Sequence, residues 1–268
     1  MKLYKVIVFT LIVFLSCSPN NVTIDESLGK HFKDHNVTGS FAILDNGTGE
    51  FTIYNLARYR DSAYLPASTF KIINSLIGLQ TGKIVNDSMI INWDGLDRGR
   101  PECNSDLSMY SAFRLSCPPW YQEMARRIGK DTMQQWVDSL EYGNKKISAI
   151  DTFWLDNSLK ITADEQLGLM KKLFFDQLPF HKLNMEIVRK AMLFENNSNY
   201  SLSYKTGWGM KENGSHLAWC VGWIVENKHP FFFVLNLETE DKTADIPGIR
   251  MKILKSILAQ SGFMQGKR

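Results

Sequence analysis

The sequence predicts an α+β fold: a central antiparallel sheet flanked by helices, with a mainly helical lobe inserted between its strands. Three observations predict it. Residues 39–55, GSFAILDNGTGEFTIYN, are two β-type runs around the pair Asn46-Gly47, a hairpin signal because both residues tolerate positive φ. The middle of the chain carries helical spacing and caps. Near the end, YSLSYKTGWGM, HLAWCVGWIVEN and HPFFFVLNLE are rich in aromatic and β-branched residues and are separated by turn signals. Strands joined by short turns pair antiparallel, and helices must cover the apolar faces of their sheet.

Taken in order, Pro66 opens a helix over residues 68–79, an apolar run that begins with Ser68 and Lys71. A polar, loop-rich segment follows, INWDGLDRGRPECNSD. Asp131 is placed to cap DTMQQWVDSL, and Thr162 with Glu165 makes a capping box ahead of Leu167, Met170, Phe174 and Leu178. Leu183, Ile187 and Ala191 mark a further helix by their spacing. After the three strands, IRMKILKSILAQSG closes the chain as an amphipathic helix. The junction of sheet and helical lobe is where a cleft is expected.

Composition narrows the function classes. Net charge is +3, and setting aside Lys2 and Lys5 of the leader lowers it by two, to +1. No long block of one sign occurs, so nothing argues for a nucleic-acid partner. The N-terminus reads MKLYK, then VIVFTLIVFL, then Ser16-Cys17-Ser18. That apolar run is too short for a span, which needs about 20 residues, and reads as an export signal. Cys17, preceded by Phe14-Leu15-Ser16, sits where a bacterial lipoprotein signal places its lipidated cysteine, and simple cleavage nearby is the alternative. Either way the protein is exported and periplasmic, and in the lipoprotein reading its membrane contact is a lipid anchor on Cys17. The remaining Cys103, Cys117 and Cys220 match no zinc spacing. A Cys103–Cys117 bridge and buried free thiols both stay open.

Ser68 and Lys71 stand at i and i+3, so a helix puts them on one face. A helix start favours developing negative charge, and a serine hydroxyl attacks only once a base takes its proton. Lys71 is that base if burial keeps its amine neutral. The S-x-x-K pattern is weak alone, and Ser27-Leu28-Gly29-Lys30 matches it too, in a context that reads as surface. Lys205-Thr206-Gly207 inside a strand-like run strengthens it, because that pair of motifs marks serine β-lactamases and penicillin-binding proteins. Gly207 permits close backbone approach. The N–H of Trp208 beside that of Ser68 would form an oxyanion hole, whose single donors are typically worth about 3 kcal/mol.

Together, PASTFK at 66–71, Tyr142-Gly143-Asn144, Phe153-Trp154-Leu155, Lys205-Thr206-Gly207 and WCVGW at 219–223 resemble the class D β-lactamases over the whole exported chain. The Ser-Asp-Asn triplet of class A enzymes is missing; Ser105-Asp106-Leu107 is the nearest text. The resemblance implies the serine β-lactamase and penicillin-binding transpeptidase-like fold. It implies a signal peptide over 1–16 and one catalytic domain over 22–268, with the helical lobe at roughly 75–195. The implied activity is hydrolysis of β-lactam antibiotics through a Ser68 acyl-enzyme, giving resistance. No metal or organic cofactor is implied, only carbon dioxide or bicarbonate to turn Lys71 into N6-carboxylysine, the general base. Trp154 is implied as an N–H donor to that anion; without the resemblance it would read as a core aromatic. Aligning ARRIG at 125–129 places the family's second serine at Ser116-Cys117-Pro118, where Ser116 relays a proton to the leaving nitrogen together with Lys205. Pro118 stands where the family carries a valine that packs over the modified lysine. Arg250 in IPGIR matches the arginine that holds the substrate carboxylate, alongside Thr206, Gly207 and Trp208; otherwise it is an exposed helix arginine. Tyr142-Gly143-Asn144 reads as a turn, and Trp219 with Trp223 as core.

Three other functions fit less of the sequence. A β-lactam sensor shares the motifs without turnover, but such sensors carry a multi-span membrane part, and here only a cleavable leader is expected. A cell-wall DD-peptidase would lack the class D tryptophan motif. A metal-binding lipoprotein could use His31 and His35, but HFKDH lacks the H-E-x-x-H pattern, and His181, His216 and His229 are scattered.

Overall fold

The computed structural model describes residues 21–268, so the leader and Cys17 lie outside the described residues. β1 (Val22–Ile24) leads into the short helix α1 (Gly29–Lys33). β2 (Thr38–Asp45) and β3 (Phe51–Tyr54) form the hairpin read from Asn46-Gly47, followed by α2 (Leu56–Asp61) and β4 (Ala63–Tyr64). A 3-10 turn over Ala67–Phe70 runs straight into α3 (Lys71–Gln80). β5 (Ile90–Ile91) and β6 (Leu107–Ser108) pair at the base of the polar loop, which holds a 3-10 turn at Pro101–Cys103. The helices α4 (Met109–Leu115), α5 (Pro118–Ile128) and α6 (Lys130–Ser139) come next. β7 (Ile161–Thr162) pairs with β4 and leads into α7 (Ala163–Phe174) and α8 (Lys182–Met192). β8 (Leu193–Asn196), β9 (Ser201–Met210), β10 (His216–Glu226) and β11 (His229–Thr239) return to the sheet, and α9 (Ile246–Gln260) ends the chain.

The main sheet has the order β1-β3-β2-β11-β10-β9-β8. One detail departs from the antiparallel expectation: β1 pairs parallel to β3 at the edge. A tight turn makes only antiparallel neighbours, and the chain leaves β1 through α1 rather than a hairpin. Both faces of the centre are covered. Leu217, Trp219, Val221 and Trp223 of β10 face the larger core shared with α3, α5 and α7, while Ala218, Cys220 and Ile224 face a second core with α9. A strand buried on both faces has no polar alternation, which is why β10 and β11 read as continuous apolar runs. α3 is mainly apolar and buried from Lys71 to Leu79, as a helix threaded through a core must be, with Asn74 and Ser75 bonded to Tyr121.

Two local expectations are corrected and one open alternative is resolved. Asp131 lies in the first turn of α6, whose N-cap is Gly129 at φ 84. Leu183 is 66% exposed; the buried stripe of α8 is Met185, Val188, Ala191 and Met192, because starting the helix at Lys182 turns Leu183 outward. Among the cysteines left open, Cys103 and Cys117 form a disulfide across 5.7 Å of Cα separation, and Cys220 is a buried free thiol. Among the described residues no helix is long and apolar enough to cross a membrane.

The Thr162–Glu165 capping box forms in full, hydroxyl to backbone and carboxylate to backbone. Replacing Thr162 with Ala should cost about 1 kcal/mol in a urea unfolding curve, with the slope unchanged.

Candidate active site

Ser68 stands half-buried in the 3-10 turn at the head of α3. That turn is over-determined. Ala67 N–H donates to Trp154 O at 3.0 Å, Thr69 Oγ1 to Pro66 O at 2.7 Å, and Gln166 Nε2 to Thr69 Oγ1 at 2.7 Å. Ala67 itself sits at φ 48, a strained position for a residue with a Cβ. One turn further on, Lys71 is 1% exposed and its Nζ donates to Ser68 Oγ at 2.8 Å. The Tyr121 ring centroid lies 5.3 Å from the same nitrogen. Burial, helped by the positive charge of Arg100, pushes the Lys71 amine down to about 7.

A second serine–lysine pair stands beside the first. Ser116 terminates α4 in the left-handed region, φ 57 and ψ 41. Its Oγ accepts a hydrogen bond from Lys205 Nζ at 2.8 Å, across 89 residues of sequence. Lys205 is 2% exposed, gives a further bond to Thr206 O at 3.1 Å, and lies 5.4 Å from the Phe113 ring centroid. Burial first and the charge of Lys71 second hold its amine well below the usual lysine range.

β9 brings the remaining residues in. Its ladder with β8 ends at Ser203, so Tyr204 to Met210 has a strand partner only on the β10 side. The open edge meets the Ser68 turn. A Cβ at Gly207 would come within 2.9 Å of Pro66 O and 3.2 Å of Thr69 Cγ2, so only glycine lets the strand lie this close. Thr206 is half-buried, and Trp208 is 47% exposed at the rim with its indole on His216 Nδ1 at 3.3 Å. Arg250 is not an exposed helix arginine: it is 7% exposed, its Nη1 donates to Gly207 O at 2.7 Å, and its buried Nε has no partner.

Trp154 is fully buried, stacked on Phe70 with centroids 5.6 Å apart, and its indole Nε1–H has no acceptor. A buried donor left unpaired is costly, and the Trp154 indole is one of a few buried polar atoms among the described residues without a partner. Tyr142-Gly143-Asn144 anchors the loop that carries Trp154. Asn144 N–H donates to Lys160 O and Nδ2 to Ser158 O, while Lys160 N–H donates to Asn144 Oδ1. Trp219 and Trp223 are core, Trp219 donating to Leu65 O at 2.9 Å.

Sequence reasoning missed Arg100, Tyr121 and Gln166, which come to the site from a polar loop and two distant helices. None carries a motif. Conversely, the second S-x-x-K copy is inert surface, with Ser27 and Lys30 both exposed. His31 Nε2 is bonded to Gln260 Oε1, and no cluster among the described residues could hold a metal ion.

Residues 39–259 match the family model of the penicillin binding protein transpeptidase domain. The β-lactamase OXA-19 of Pseudomonas aeruginosa is 34% identical over 99% of this chain and 100% of its own. The class D β-lactamase FUS-1 (OXA-85) of Fusobacterium nucleatum superposes with a TM-score of 0.85 at 32% identity, covering 91% of this chain and 100% of that one. The chain belongs to the class D β-lactamases. As a class D enzyme it is a serine β-lactamase hydrolase on the transpeptidase-like fold. The C-terminal domain of the Bacillus licheniformis BlaR penicillin-receptor has the same fold, with a TM-score of 0.84 at 29% identity over 90% of this chain and 96% of that one. Pro118 is the first residue of α5, where a missing N–H costs that helix nothing.

A Cβ at Gly143 would sit 1.9 Å from Lys160 O, at φ 51. Gly143→Ala should therefore lower the unfolding free energy by about 2 kcal/mol or more in denaturant melts and loosen the Trp154 loop.

Proposed function

We propose that this class D β-lactamase hydrolyses β-lactam antibiotics through a Ser68 acyl-enzyme, with Lys71 acting in its N6-carboxylated form, and so confers β-lactam resistance. The observation that carries the reading is the buried Lys71 amine, 2.8 Å from Ser68 Oγ, together with a buried Trp154 indole N–H that has no partner. Carboxylation needs a neutral amine, and an amine pushed down to about 7 supplies one near neutral pH. The residues fit the modification: a lysine held without an acid partner, and Trp154 Nε1 as a ready donor to an anion. When present, the carboxylate made by Lys-NH₂ and carbon dioxide, with loss of one proton, supplies an anionic oxygen base for acylation and deacylation.

The other roles follow from the side chains. Ser68 Oγ attacks the lactam carbonyl carbon and gives up its proton on the Lys71 side. The developing oxyanion meets the N–H groups of Ser68 and Trp208. The carbon–nitrogen bond breaks, and the nitrogen takes a proton through Ser116, whose hydroxyl is already held by Lys205 at 2.8 Å. Arg250, with no acid partner, and Thr206 offer donors to the substrate carboxylate. A water molecule then cleaves the ester and frees Ser68. We further propose that the protein is exported to the periplasm, free or lipid-anchored at Cys17; the Cys103–Cys117 disulfide supports an oxidising compartment.

The likeness to the BlaR receptor domain favours one second reading, a penicillin-binding sensor that is acylated and not turned over. Hydrolysis of a chromogenic cephalosporin by residues 18–268 separates the two. Turnover that is lost on degassing and restored by bicarbonate is expected, together with a drop of at least about 10³-fold in Ser68→Ala. A stably acylated Ser68 with no turnover would establish the sensor reading instead.

The pH dependence has a definite sign. Below about 7 the Lys71 amine is protonated and cannot react with carbon dioxide, so kcat/KM at fixed bicarbonate should fall as pH drops through that value and level off above it. Trp154→Phe removes the indole donor while keeping an aromatic ring and should raise the bicarbonate concentration needed for half-maximal turnover about tenfold or more.

A further inference from the structure

Ser116 follows a helix end that cannot satisfy itself. The last carbonyls of a helix need donors from outside it. Cys117 N–H reaches Ala112 O at 3.0 Å and Ser116 N–H reaches Phe113 O at 3.1 Å. The next two residues are Pro118 and Pro119, which have no N–H to give. The carbonyls of Leu115 and Ser116 are served by one side chain instead. Arg100 Nη2 donates to Leu115 O at 3.0 Å, and Nη1 donates to Ser116 O at 3.3 Å. The guanidinium is steadied by Glu102, whose Oε1 accepts from Nε at 2.9 Å and Nη2 at 2.7 Å. Both members of that ion pair are about two-fifths exposed, so the pair itself adds little; its value is in aiming the fork.

The same turn holds Ser116 a second time. Cys103 N–H donates to Arg100 O at 2.8 Å, and Cys103 is bonded to Cys117, the residue after the serine. Ser116 is thus gripped at its own carbonyl and at its next neighbour while it occupies a left-handed conformation that a non-glycine residue enters at a cost of about 1 kcal/mol or more.

We propose that Arg100 and the Cys103–Cys117 bridge form one positioning device for Ser116, holding its hydroxyl on Lys205 in place of the backbone donors that Pro118 and Pro119 lack. This rests on the proposed role of Ser116 as the proton relay. Arg100 touches neither serine hydroxyl, so it is a positioning residue. Its charge also bears on both buried lysines, lowering Lys71 and, more weakly, Lys205.

The test compares the parent with Arg100→Gln, Arg100→Lys, Cys103→Ser/Cys117→Ser and the combination of Arg100→Gln with both serines, each normalised to sites titrated by a fluorescent penicillin. Arg100→Gln should lose about tenfold or more in kcat per titrated site, with KM within about threefold. Arg100→Lys keeps the charge and should fail to rescue, because one ammonium cannot span two carbonyls. The serine pair should lose several-fold, and the combined variant should lose less than the product of the separate effects, since both act on one residue. Circular dichroism melts confirm which variants are folded. The proposal is overturned if Arg100→Gln keeps kcat within about twofold, if Arg100→Lys matches the parent, or if the losses multiply independently. If the parent is acylated without turnover, the hydrolytic reading fails separately. The same ratios are then read on the acylation rate, where the Arg100 variants should be about tenfold slow.

Discussion

Everything at the centre of this molecule depends on a lysine amine kept away from both water and acid. An ammonium in that position is strongly disfavoured, so the site must hold Lys71 neutral or meet its charge chemically. The fold does this by threading α3, buried on every side, through the larger core, so that Lys71 leaves the helix toward the Tyr121 ring rather than toward solvent. Keeping the amine on Ser68 Oγ then requires a rigid turn ahead of it, which Ala67 provides by donating to Trp154 O and Thr69 by donating to Pro66 O and accepting from Gln166 of α7.

The second constraint is the accumulation of positive charge. Lys71, Lys205 and Arg250 are all buried, and none of them takes part in an ion pair among the described residues. Burial lowers the pKa of all three, and the charges of Lys71 and Arg250 lower that of Lys205 further. Two anions are chemically at hand in the proposed function: a carboxylate on Lys71 and the carboxylate of a β-lactam. In that proposed function, positive groups without acid partners favour an anionic substrate.

The sheet supplies the geometry that neither charge nor helix can. β9 loses its β8 partner after Ser203, which opens an edge where the Ser68 turn and a ligand can approach. Gly207 lets that edge lie against Pro66, and Arg250 reaches across from α9 to hold the Gly207 carbonyl from behind. Three elements far apart in the chain, the head of α3, the end of α4 and the middle of β9, therefore converge with their serines already paired to lysines.

Much of this was legible in the chain because it is local. The hairpin at Asn46-Gly47, the Thr162–Glu165 box and the long apolar strands depend on neighbouring residues and their periodicity. Ser68 with Lys71 is an i, i+3 relation on one helix, and Lys205-Thr206-Gly207 is a contiguous run on one strand. What the residues alone left open was non-local. Cys103 and Cys117 pair only because the 3-10 turn folds back onto the head of α5. Arg100 reads as one polar residue in a loop, and becomes part of the site only when α4 ends in prolines and leaves two carbonyls unserved. Leu183 has the right spacing for a buried face and is exposed, because the direction in which α8 packs is set by its neighbours and not by its own pattern. The sequence by itself determined the fold class, the family and the placing of Ser68 with Lys71 on one helix face, since propensity, spacing and motif are properties of short segments. Only the tertiary structure decided which loop holds Ser116, where Arg250 points and that the Trp154 indole is buried without a partner. Those are distances between segments that sequence order does not encode.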